Sequence, residues 1–60
     1  MFEIEYIKEM TREDGSKVDV VFTRQYERER PMYQAVKKIV ADCIHENAWM
    51  QFKYIGPARH

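Results

Sequence analysis

The stretch from Met32 to Glu46, MYQAVKKIVADCIHE, limits most sharply the folds open to this chain. On a helical wheel at about 100° per residue, Met32, Val36, Ile39 and Cys43 fall on one line. Ala35 flanks that line on one side, and Tyr33, Val40 and Ile44 flank it on the other. Gln34, Lys37, Lys38, Asp42 and His45 take the opposite side. An amphipathic helix with one apolar face is predicted, and the rest of the chain must supply its cover.

The chain has 60 residues, so it forms one domain over 1–60. A chain this short buries only about 60% of the surface it exposes when unfolded, and its core is thin. Apolar residues make up 45% and charged residues 33%, which suits a folded domain and not a disordered one. Formal net charge is zero, whereas strong non-specific DNA binding needs a basic surplus. The neutrality hides an asymmetry. Residues 1–22 carry Glu3, Glu5, Glu9, Glu13, Asp14 and Asp19 against Lys8, Arg12 and Lys17, and residues 23–60 hold a matching basic excess. A two-sided surface is expected.

Upstream of the helix, Phe2 to Met10 alternates. Phe2, Ile4 and Tyr6 share one face; Glu3, Glu5, Ile7 and Glu9 share the other. Lys17 to Thr23 alternates as well, with Val18, Val20 and Phe22 opposed to Asp19, Val21 and Thr23. Both read as half-buried strands. Between them, Glu13-Asp14-Gly15-Ser16 signals a hairpin. A two-residue turn would mix polar and apolar side chains on one face. A three-residue loop, Glu13-Asp14-Gly15, closes Arg12 against Ser16 and puts the glycine in the left-handed position of a bulge. Met10 then faces Val18, Tyr6 faces Phe22 and Phe2 faces Tyr26. The cost is Glu9 opposite Asp19, since like charges directly across a ladder are destabilising.

Arg24 to Arg30 links sheet to helix. Pro31 suits the first helical position and disfavours a helical Arg30, so the helix is expected to start at Pro31. Asn47, which tolerates the left-handed conformation, is expected to stop it. Ala48 to Ile55 reads as a third strand, with Met50, Phe52 and Tyr54 on one face and Trp49, Gln51, Lys53 and Ile55 on the other.

The predicted fold is α+β, in the order ββαβ. Three strands in the order 2-1-3 form a sheet with one helix packed on one face. The expected core is Phe2, Ile4, Tyr6, Val18, Val20, Phe22, Met32, Val36, Ile39, Val40, Cys43, Met50 and Phe52.

Catalytic groupings are absent. The one serine, Ser16, lies in a turn, and Gly15 and Gly56 cannot make a phosphate-cradling loop. Cys43 sits on the core line, where a thiol is inert. Its being the single cysteine rules out an internal disulfide and an all-cysteine zinc site. His45 and His60 fit no metal-ligand spacing, so neither metal nor cofactor is expected and the chain reads as non-enzymatic.

No apolar run reaches the ~18 residues of a membrane span, and MFEIEY does not resemble a signal peptide. The expected location is the cytoplasm, with no membrane partner. No stretch matches a family motif. The size class is that of accessory proteins which phages and other mobile elements encode to bind or modulate host proteins.

Two surfaces carry functional expectations. The sheet face away from the helix should present Ile7, Val21 and Trp49, with Ile55 beside them, ringed by Glu3, Glu5, Glu9 and Asp19. An apolar centre with a polar rim is the anatomy of a protein-binding patch, and its acids favour a basic partner. A homodimer through this face would bury the same residues. The alternative reading is nucleic-acid binding. Arg24, Arg28 and Arg30 crowd the helix start, Tyr26 and Tyr33 offer stacking surfaces, and Lys53 and Arg59 add charge near the C-terminus. Against it, Glu27 and Glu29 offset the arginines.

Overall fold

The computed structural model describes residues 1–59. It contains strand β1 (Phe2–Thr11), strand β2 (Lys17–Tyr26), helix α1 (Glu29–Glu46) and strand β3 (Met50–Pro57). The strands form one antiparallel sheet in the order β2-β1-β3, so the first strand is central. This is the expected ββαβ arrangement.

The hairpin register is the predicted one: Phe2 pairs with Tyr26, Tyr6 with Phe22, Ile7 with Val21 and Met10 with Val18. Its loop closes as the alternation requires. Arg12 N–H donates to Ser16 O at 2.7 Å, and Gly15 N–H donates to Arg12 O at 2.9 Å. Gly15 takes φ +88°, where a side chain would be strained. Asp14 Oδ1 accepts from the Ser16 N–H at 2.9 Å and from its hydroxyl at 2.6 Å. Those hydrogen bonds, the hydroxyl's first, hold the Asp14 carboxyl below its ordinary pKa.

Helix α1 begins at Glu29 and not at Pro31, one correction to the sequence reading. Pro31 falls inside the first turn, where its missing N–H has no helical partner to lose. Arg28 precedes the helix in an extended conformation and gives no side-chain cap, while Glu29 puts an acid against the positive end of the dipole. The other end behaves as predicted. Asn47 is left-handed at φ 54°, with Asn47 N–H donating to Ile44 O and Ala48 N–H to Cys43 O at 2.9 Å. This is the Schellman closure.

The core centres on Ile4, Tyr6 and Met32, with Phe2, Phe22, Tyr26, Ala35, Val36, Ile39, Met50 and Phe52 packed around them. The Tyr6 ring lies between Phe22, stacked at 5.2 Å, and Phe52, tilted at 5.9 Å. Cys43 is buried, as expected. Val18, Val20 and Val40 remain half-buried outside this cluster, because β2 is an edge strand and Val40 lies toward the flank of the helix. Lys8 shares the helix face with Tyr6, and its ammonium meets the Glu46 carboxylate at 2.6 Å.

Strand β3 departs from simple alternation. Tyr6 pairs with Phe52 while Glu5 pairs with Tyr54, so Lys53 is an extra residue that the ladder skips. Such a bulge reverses the facing of everything beyond it. Met50 and Phe52 stay on the helix side. The register moves Tyr54 to the open face and sets Ile55 opposite Ile4, the reverse of the phase predicted for both.

Candidate protein-binding face

The open face is a grid whose rows follow from the two ladders. From β2 through β1 to β3, the rows read Gln25–Glu3–Gly56, Thr23–Glu5–Tyr54 and Val21–Ile7–Gln51. In the last row Asp19 faces Glu9, whose N–H donates to Trp49 O at 2.8 Å. Ile7 and Val21 are neighbours as expected, but the residue across from Ile7 on β3 is Gln51. Trp49 lies one row further, just before β3, so the apolar group is diagonal and not the straight row that alternation suggested.

Val21 is 57% exposed and Trp49 51%, with Ile7 half-buried between their strands. Asp19, Thr23 and Gln51 around them are exposed. The strain anticipated between Glu9 and Asp19 is relieved locally, since Lys17 Nζ lies 3.5 Å from Glu9 Oε1 on the same face.

The other end of the face is closed by the C-terminal residues. Ala58 N–H donates to Met1 O at 3.0 Å and carries the chain alongside β1. Arg59 then reaches back over the sheet. Its guanidinium meets Glu3 at 3.1 Å and Glu5 at 2.9 Å, and lies 4.0 Å from the centre of the Tyr54 ring. Gln25 donates to Glu3 at 3.3 Å. Glu3 is consequently buried although it sits on the face away from the helix. A buried carboxylate is tolerable here because two side chains satisfy it. The Tyr54 hydroxyl donates to Pro57 O, and Gly56 leaves the space that its ring crosses.

The acids of the open face therefore divide into two groups. Glu3 and Glu5 are spent on Arg59, while Glu9 and Asp19 remain on the rim of the apolar group. Sequence periodicity placed all four on the face correctly and missed this division. It placed Gln51 there too, and passed over Tyr54 and Gln25. The bulge that turns Tyr54 outward has no signal in the AWMQFKYI pattern.

The residues of the alternative reading differ in their surroundings. Tyr26 packs against the core, opposite Phe2. Arg24 lies 5.6 Å over the Phe22 ring and donates to Thr23 O at 3.3 Å. Arg28, Arg30 and Lys53 are exposed, and Arg30 borders a shallow groove with Glu29, Tyr33, Gln34 and Lys37. Arg59 is engaged with Glu3, Glu5 and Tyr54. His45 is exposed on α1, and His60 lies outside the described residues. Among the described residues no three His, Cys, Asp or Glu side chains gather as a metal site would require. Among the described residues no helix is long and apolar enough to cross a membrane.

Comparison with known proteins found no matching family model, no matching curated protein and no matching solved structure.

Proposed function

We propose that this chain is a small protein-binding module that acts by contact and not by catalysis, through the open face of its sheet. The observation that carries the reading is the group formed by Val21, Trp49 and Ile7. It is apolar and lies opposite the helix, and no element among the described residues covers it. Exposed apolar side chains ringed by polar ones mark contact surfaces, and tryptophan is a favoured anchor at them. Glu9 and Asp19 on the rim favour a partner with a basic surface and speed the encounter at low salt. The effect on the partner would come from covering part of its surface, as a modulator or inhibitor does.

The test is the double variant Trp49→Ala with Val21→Thr. Both positions are more than half exposed, so the variant should keep its fold by circular dichroism and its melting temperature. It should lose the partners that the wild-type chain captures from a lysate. Loss of the fold, or capture that survives the double change, would end this reading.

A further inference from the structure

The two edges of the sheet are built differently. The β3 edge carries the bulge at Lys53 and ends in Pro57, which has no N–H to offer. Bulges, prolines and lysines are the usual devices that stop an edge strand from pairing with another chain. The β2 edge has none of the first two. Lys17 to Tyr26, KVDVVFTRQY, pairs without a break along its whole length and is rich in β-branched and aromatic residues.

The hairpin closure fixes the phase of its free backbone groups. Arg12 and Ser16 form the hydrogen-bonded pair that closes the hairpin loop. Hydrogen-bonded pairs recur every second residue, so Val18, Val20, Phe22, Arg24 and Tyr26 turn their N–H and C=O groups toward β1. Glu9 N–H turns the other way, to Trp49, as this phase demands. On β2, then, Lys17, Asp19, Val21, Thr23 and Gln25 point their N–H and C=O groups outward. Arg24 bonding the Thr23 carbonyl from its own side chain agrees with that carbonyl lying outside the ladder.

We propose that a second copy of this chain occupies the β2 edge, antiparallel about a two-fold axis at Val21, so that two sheets become one. The edge is complementary to itself in this register. Val21 meets the partner's Val21, Asp19 meets the partner's Thr23 and Lys17 meets the partner's Gln25, which uses every outward residue. On the helix face Val20 meets the partner's Phe22 and Val18 the partner's Arg24. No like charges stand opposite one another. Moving the axis two residues back sets Asp19 against itself, and moving it two residues on leaves outward groups near Lys17 unpaired. Pairing also joins the two Ile7–Val21 neighbours into one apolar row across both copies. The proposal concerns the strand edge and does not depend on what docks on the face.

The experiment is sedimentation equilibrium of the full chain, combined with amide hydrogen exchange. The wild-type chain should sediment at twice its 7.3 kDa mass. The Asp19, Val21 and Thr23 amides should exchange slowly in the dimer and quickly when it is diluted apart. Val21→Lys and Val21→Glu should each sediment as monomers, because each puts like charges together at the axis. Mixed in equal amounts, they should recover the dimer. The Val21→Thr, Trp49→Ala variant keeps a β-branched residue at the axis and should stay dimeric, which separates this proposal from the face reading. A monomeric wild-type chain would overturn the proposal. So would a dimer whose Asp19, Val21 and Thr23 amides exchange freely, since that dimer packs by its faces, and so would a dimer that survives in Val21→Lys alone.

Discussion

The Lys8 ammonium stands 2.6 Å from the Glu46 carboxylate, tying the middle of β1 to the last turn of α1. Lys8 is an interior position on the helix face of the central strand, and its stem is covered while Glu46 stays half-exposed. Hydrogen bonding to Glu46 raises the Lys8 pKa above its ordinary 10.5. A raised folded-state pKa gives stability that is complete below the unfolded value and lost as pH climbs through the folded one. Lys8→Met keeps the covered stem and removes the charge. At neutral pH it should cost no more than about 1 kcal/mol, as a solvent-screened pair does. The melting-temperature gap between wild type and Lys8→Met should hold steady from neutral pH upward and narrow above pH 10.5. A gap that does not change through that range would mean the ion pair contributes nothing.

Met32 is 1% exposed and fills the centre of the core, whereas Ile39 is only half-buried. Met32→Ala should cost about 2–5 kcal/mol, and Ile39→Ala about 2 kcal/mol or less, because its site is already open to solvent on one side. A domain of this length holds about 3–9 kcal/mol in all, so Met32→Ala should leave a measurable unfolded fraction at 37 °C. Urea denaturation of both variants checks the order.

Cys43 is buried between helix and sheet. Its thiol should react slowly with a thiol reagent in the native state and at the free-cysteine rate in denaturant. Fast labelling of the folded protein would place Cys43 at the surface and undo the assigned helix face.

Arg59 holds Glu3, Glu5 and the Tyr54 ring at one end of the open face. Arg59→Ala leaves Glu3 buried with Gln25 as its remaining partner, so the melting temperature should fall and the Ala58 amide should exchange faster. Arg59→Lys should restore only part of the loss, since an ammonium cannot bridge two carboxylates and stack on a ring as the flat guanidinium does. Equal behaviour of the two variants would show that the planar geometry has no role.

Much of this fold can be read from local pattern, for a physical reason that differs between elements. Strand side chains alternate with a period of two, so a register that mixes faces is costly, and the Glu13-Asp14-Gly15 loop leaves one register that does not. The helix face follows from the spacing of Met32, Val36, Ile39 and Cys43, and its end from an asparagine able to turn left-handed. The sequence by itself thus determined the hairpin, the helix, the strand order and the exposure of Val21. Only the tertiary structure decided the rest. The bulge at Lys53 is set by how β3 lies against β1 and is invisible in β3 alone, so the facing of Tyr54 and Ile55 could not be read from alternation. Lys8 meeting Glu46, and Arg59 meeting Glu3 and Glu5, join residues far apart along the chain. Periodicity says which side of an element a charge occupies. Which opposite charge it meets depends on where the other elements come to rest.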